Sequence, residues 1–147
     1  MPPEIHAVTS FLESENEILI LLRSERVSTY PGKWAGISGS LDSGKTSDEQ
    51  AIVEIEEETG LSREYIKLIK KGKPLLIDDD ILNIRKVIYP YLFHIEARNK
   101  IKINWEHKKL KWIKPEDIDK YETMPKLKET LAQVLSWQNE DNTKRVI

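Results

Sequence analysis

Two stretches near the start of the chain, Ile5 to Leu12 and Glu17 to Arg23, are rich in aliphatic and β-branched residues and read as strands. The polar turn Glu13-Ser14-Glu15-Asn16 separates them. Tyr30-Pro31-Gly32-Lys33-Trp34 reads as a turn feeding a short apolar segment, and Gly36, Gly39 and Gly44 mark an irregular loop of close backbone approaches. The spacing then changes. Thr46 or Ser47 is followed three residues later by Glu49 or Gln50, the capping-box spacing, and opens a helix that Gly60 closes as a left-handed cap. Strand patterns return at Ile66 to Ile77 and at Lys86 to Ile95, where Pro90 demands a sheet edge or a bulge. A charged stretch from Glu96 to Lys109 leads into Leu110-Lys111-Trp112-Ile113, and Pro115-Glu116-Asp117 starts a short helix. Pro125 takes the first-turn position of a last helix whose apolar face is Leu127, Leu131, Val134 and Leu135. Asn139 to Ile147 is polar and is expected to fray. Strands alternating with two helices predict an α/β (α+β) chain without repeats or linkers.

Composition narrows this. A length of 147 residues predicts a single domain over 1–147 that buries roughly 70% of its unfolded surface. The absence of cysteine excludes disulfides and thiolate metal sites. No apolar run approaches the ~20 residues that cross a bilayer, and Met1-Pro2-Pro3-Glu4 lacks the features of a secretory signal. A soluble, cytoplasmic chain with no membrane partner is expected. The formal charge of −2 hides an asymmetry: residues 1–66 carry 5 basic and 13 acidic side chains, whereas 67–147 carry 18 and 12. In one compact domain the halves interleave, and the sequence pI of about 6.0 also argues against a phosphate-backbone binder, so a nucleic-acid partner is not expected.

The first helix is anomalous. With Glu54 at zero on a wheel turning about 100° per residue, Glu57 and Glu58 share its narrow sector. Ala51, Ile52, Ile55 and Thr59 form the adjoining core stripe, and Glu49 and Glu56 take the solvent side. Like charges at this spacing cost roughly 0.2–0.5 kcal/mol per pair, and carboxylates in a last turn oppose the helix dipole. A solvated acidic face is the plain reading. Beside a glycine-rich loop and a core stripe, a divalent cation is the alternative, because it converts the repulsion into coordination. Oxygen-only ligands with no cysteine suit Mg²⁺ or Mn²⁺ better than Zn²⁺.

These residues resemble the Nudix hydrolase family, whose box reads G-x5-E-x7-R-E-U-x-E-E-x-G-U, with U a bulky aliphatic residue. The chain aligns to it without gaps from Gly39 to Leu61: Gly39, Glu54-Ile55, Glu57-Glu58 and Gly60-Leu61 all match. Trp34-Ala35-Gly36-Ile37-Ser38-Gly39 is similar to the family's entry into the box, and Glu106-His107 with Trp112-Ile113-Lys114-Pro115-Glu116 is similar to its later segment. A narrower likeness, in Arg23-Ser24-Glu25-Arg26, Tyr30-Pro31-Gly32 and Tyr89-Pro90-Tyr91-Leu92-Phe93, is to Nudix modules that some archaea fuse to a domain related to a translation-initiation exchange factor. Two positions depart from the box: its first Glu is Lys45 and its Arg is Val53. In the family that Arg pairs with box carboxylates, so turnover is placed in more doubt than metal binding.

The resemblance implies a mixed sheet sandwiched between helices, with the box as loop–helix–loop. It implies a metal-dependent hydrolase that cleaves the pyrophosphate of a nucleoside diphosphate derivative by water attack at phosphorus. Glu54, Glu57, Glu58 and the Gly39 carbonyl are then the metal ligands. Glu106 is the first choice of general base and Glu54 the competitor. Arg23 could meet phosphate as a bidentate donor, with Arg26 beside it, and Tyr30 or Trp34 could stack on a base. A surface role is the alternative for each. His6, His94 and His107 show no mutual metal spacing and read as strand or loop residues; Asp78-Asp79-Asp80 reads as a solvated turn. Homodimers are common in the family. The rival function is a catalytically weak nucleotide-binding module, favoured by Lys45 and Val53.

Overall fold

The computed structural model describes residues 3–42 and 44–135. Trp137 and the tail 139–147 lie outside the described residues. Eight strands form one mixed sheet: β1 (Glu4–Ser14), β2 (Glu17–Arg23), β3 (Trp34–Ala35), β4 (Ile37–Ser40), β5 (Ile66–Lys71), β6 (Leu75–Asp79), β7 (Ile84–Ile95) and β8 (His107–Ile113). Helix α1 (Ser47–Thr59) and helix α2 (127–135) accompany them, with short 3-10 segments at Arg63–Tyr65, Arg98–Lys100 and Pro115–Lys120.

The centre is a parallel ladder between β1 and β7, running from Glu4↔Arg85 to Glu13↔His94. Along its other edge β1 pairs first with β4, from Ala7↔Ser40 to Ser10↔Ile37, and then with β2 at the tight turn Glu15-Asn16. Both turn residues have positive φ, as a two-residue hairpin connection requires. Strand β2 continues antiparallel to β8 and β3.

The sheet is apolar on both faces because its inner strands alternate between two cores with a period of two. Val8, Leu12, Leu19, Leu21, Tyr91, Phe93 and Ile95 meet Ala51 and Ile55 of α1. Phe11, Ile18, Ile20 and Leu92 meet Leu127, Leu131 and Val134 of α2, together with Ile118. This is the sheet between helices that the family resemblance implies.

The second strand pattern differs in detail. The stretch from 66 onwards runs antiparallel to β7 but breaks at 72–74, giving β5 and β6, and continues to Asp79. The break faces Pro90. The Gly72 N–H donates to the Pro90 carbonyl (2.9 Å), so the side of Pro90 that lacks an N–H points at the interruption. Pro90 is therefore neither at a sheet edge nor in a bulge: it lies in a central strand, opposite Thr9 of β1. The irregularity on that ladder falls at Leu68/Lys70 instead. The turn expected at Asp78-Asp79-Asp80 is also partly structured: Asp79 ends β6, buried, and accepts from the Leu82 N–H (3.0 Å).

Candidate active site

Helix α1 begins at Thr46, whose hydroxyl accepts the Glu49 N–H (3.1 Å) and donates to the Glu49 carboxylate (3.0 Å). It ends at Gly60, at φ 73°, whose N–H closes on the Glu56 carbonyl (3.0 Å). The core stripe is as the wheel placed it, with Ala51, Ile55 and Thr59 buried and Ile52 packed beside them. Glu57 is exposed and Glu54 half-buried, whereas Glu58 lies inside the boundary at 2% exposure.

Glu54 lies against β4. A Cβ added to Gly39 would fall 2.2 Å from the Glu54 carboxyl carbon, so only glycine lets the helix carboxylate meet the strand backbone here. Gln50, buried one turn earlier, donates to Glu54 Oε2 (2.9 Å) and accepts from the Asp42 N–H (3.3 Å). Burial pushes the Glu54 pKa up, against the Gln50 hydrogen bond, and Glu57, Glu106 and Asp42 add to the rise.

Glu58 is held more severely. Burial raises its pKa well above the ordinary range, and the negative charges of Glu106, Glu54 and Glu57 reinforce this while Arg23 opposes it. One of its oxygens, Oε2, has no hydrogen-bond partner. The other lies 3.7 Å from His107 Nε2. Burial, aided by the charge of Arg23, lowers the His107 pKa to about 4, so at neutral pH the contact involves a neutral imidazole and is not an ion pair.

Strand β8 brings His107 opposite Arg23, where the register of the β2 ladder shifts between Leu22 and Arg23. The Arg23 guanidinium donates to the Thr29 carbonyl through Nε (3.0 Å) and Nη2 (2.8 Å), and Nη2 also donates to Thr29 Oγ1 (3.1 Å). Burial lowers its pKa, and Glu106 and Glu58 pull it back up. Glu106 precedes β8 and receives support at its backbone, its N–H donating to Asn104 Oδ1 (3.0 Å).

The structure thus brings together Gly39, Glu54, Glu57, Glu58, Glu106 and Arg23. Arg26 stands at the rim over the Trp105 ring, 5.6 Å from its centroid. Tyr30 and Trp34 have partners outside this cluster. The Tyr30 hydroxyl donates to Asp79 (2.7 Å) and its ring meets Lys86, while Trp34 packs edge-on against Tyr121 beside the α2 core. Lys45 is exposed before α1 and Val53 is half-buried on it. The residues that sequence reasoning did not place in the site are Gln50, Asn104 and His107. Gln50 carries a local signal, its i,i+4 spacing to Glu54, and Asn104 a weaker one, its turn with the N–H two residues on.

Among the described residues no three His, Asp or Glu side chains already converge as a metal-ligand shell. The donor chemistry nonetheless fits a hard divalent cation. Carboxylates crowd together with one buried oxygen unsatisfied, and the only neighbouring imidazole is buried beside them.

Residues 3–138 match the family described as NUDIX domain. The chain belongs to the Nudix family. It is 29% identical over 133 residues to a nucleoside triphosphatase, NudI, of Escherichia coli O139:H28, a match spanning 84% of this chain and 92% of that protein. The fold is similar to that of a MutT protein from Methanosarcina mazei Go1, with a TM-score of 0.75, 23% identity, and 88% and 91% of the two chains covered. It is also similar to an Ap4A hydrolase of C. elegans, with a TM-score of 0.73, 19% identity, and 92% and 98% covered. Within this Nudix domain no described helix is long and apolar enough to cross a membrane.

Proposed function

We propose that this Nudix protein is a divalent-metal-dependent pyrophosphohydrolase that cleaves a nucleoside diphosphate derivative by water attack at phosphorus. The observation that carries the reading is Glu58: a buried carboxylate with an orphaned oxygen, pressed by Glu54, Glu57 and Glu106. An arrangement that penalises its own charge is explained by a cation that relieves it.

Glu54, Glu57, Glu58 and the Gly39 carbonyl are the groups that would hold Mg²⁺ or Mn²⁺. The chemistry supplied there is charge compensation on the phosphoryl oxygens and a more acidic attacking water. Glu106 would accept the proton of the attacking water, with Glu54 as the competing base. The Asn104 side chain fixes the backbone at Glu106, so the main chain that carries the base is set before substrate arrives. Arg23 offers phosphate a guanidinium already oriented by Thr29. His107, held neutral, shields the inner side of Glu58 without competing for its charge.

The test is a phosphate-release assay over a nucleotide panel, beginning with nucleoside triphosphates, with Mg²⁺ or Mn²⁺ present. Glu57→Gln is exposed enough to leave the fold intact and is expected to lower kcat by about 10²-fold or more. A wild-type protein that binds nucleotides but turns over none establishes the second reading, a catalytically weak binding module, which Lys45 and Val53 favour. The likeness to archaeal modules fused to an initiation-factor-related domain adds no substrate to either.

A further inference from the structure

Residues Asn104–His107 form a β-turn, closed by the His107 N–H on the Asn104 carbonyl (3.2 Å), with Trp105 and Glu106 at its two central positions. Three further bonds fix it. The Asn104 side chain accepts from the Glu106 N–H and donates to the Glu57 carbonyl (3.2 Å) in the last turn of α1, and the Ser24 N–H donates to the Glu106 carbonyl (2.8 Å). The turn therefore cannot drift relative to the glutamates.

Glu106 joins the carboxylates electrostatically, while Trp105 stands 56% exposed even though the Arg26 guanidinium already lies over its ring. The other described tryptophans, Trp34 and Trp112, pack on the two cores. An indole is a large apolar surface to leave in water. This one is on a pinned turn, one residue from a site carboxylate, with consecutive Cα atoms about 3.8 Å apart.

We propose that Trp105, backed by Arg26, is the platform on which the nucleobase of the substrate stacks. This rests on the hydrolase reading above and deepens it by naming where the base lies. Stacking uses the π-face that every base has, so the platform selects for the presence of a base, purine or pyrimidine, over a base-free polyphosphate. Arg26 on one side holds the indole orientation by cation–π attraction and leaves the ring its open surface.

The experiment compares ATP with inorganic tripolyphosphate, both with Mg²⁺, in wild type, Trp105→Ala and Trp105→Phe. Trp105→Ala is expected to reduce the ratio of kcat/KM for ATP to that for tripolyphosphate by about ten-fold or more, mainly through the KM for ATP. Trp105→Phe is expected to retain most of the ratio. An ATP titration of tryptophan emission, with Ca²⁺ replacing Mg²⁺, reads the same contact without turnover: strong quenching in wild type and little in Trp105→Phe. An unchanged ratio and unchanged ATP affinity in Trp105→Ala overturn the platform, while loss of activity in Glu57→Gln leaves the hydrolase reading standing. A wild type that binds ATP but turns over no nucleotide of the panel sinks the hydrolase alone, and the titration then decides on Trp105. A wild type that neither binds nor turns over any nucleotide of the panel sinks both.

Discussion

Replacing Glu58 by Gln keeps the shape of the side chain and removes its charge. In the folded protein that carboxyl is 2% exposed, one oxygen lacks a partner, and its pKa lies well above the ordinary 4.5 because of burial first and the neighbouring glutamates second. A raised acid pKa means that the unfolded chain gives up the proton first. The wild type therefore loses stability as pH rises from 4.5 towards the folded value, and Glu58→Gln has no such slope. The amide is still a buried polar group, so what the substitution removes is the cost of the buried charge, on the order of 1–3 kcal/mol, which for a chain of this size is a gain in Tm of about 3–10 °C. Thermal melts in EDTA at pH 5 and pH 8 measure it. The variant is expected to melt higher at pH 8, with the gap narrowing at pH 5. His107, lowered to about 4, gives the opposite slope, with stability lost as pH falls below 6.5, but it acts in both proteins and largely cancels in the difference. Saturating Mg²⁺ should then raise the wild type more than the variant, since only the intact carboxylate set gains from the cation. A Glu58→Gln protein that melts below wild type in EDTA at pH 8, or a gap independent of pH, refutes the account of a strained carboxylate.

Gly39→Ala tests the same site from the strand. Gly39 has no positive φ, so alanine fits the backbone, but its methyl would lie 2.2 Å from the Glu54 carboxyl and force it aside. We expect a loss of stability below about 1.5 kcal/mol, from the broken Gln50–Glu54 bond, with at least a ten-fold rise in the Mg²⁺ concentration needed for half-maximal turnover; unchanged Mg²⁺ dependence counts against Glu54 as a ligand. Val53→Arg restores the residue that the Nudix box carries at this position. It is expected to raise kcat by roughly ten- to a hundred-fold, the worth of one charged hydrogen bond, and an unchanged or lower kcat means that the site works without it.

Helix α1 was legible because its signals are local: a cap three residues before Glu49, a stripe of period 3.6, and a glycine at its left-handed end. The strand and helix pattern gave only an α/β (α+β) chain; the sandwich came from the resemblance to the Nudix family. Long-range pairing was not legible. Pro90 violates the local rule for a central strand, yet is tolerated because the partner strand breaks opposite it, and nothing near Pro90 in sequence announces that break. The glutamates of α1 were found by spacing, but Arg23, Glu106 and His107 converge on them only through the β2–β8 ladder. Asn104 gave only a turn-type signal, its side chain accepting from the Glu106 N–H two residues on, and its second bond, to the Glu57 carbonyl of α1, is one that the local sequence does not announce.

The charge asymmetry of the chain has a spatial resolution. Strand β1 of the acidic half pairs with β7 of the basic half, and β2 pairs with β8. Ion pairs then join the halves: Lys71 to Asp48 (3.0 Å), Arg98 to Glu17 (2.9 Å) and Lys108 to Glu25 (3.0 Å). Each such pair contributes little to stability, but together they neutralise acids that would otherwise repel one another. Among the described residues Glu54, Glu57 and Glu106 take part in none of them, and the contact of Glu58 is to a neutral imidazole. A chain with 18 basic side chains in its second half could have supplied lysines here, and the one cation that Glu58 feels is Arg23, whose described hydrogen bonds go to Thr29. The negative field of the site is therefore a local arrangement and not a by-product of composition, and a field of that sign beside a single guanidinium has a positively charged ion as its natural complement.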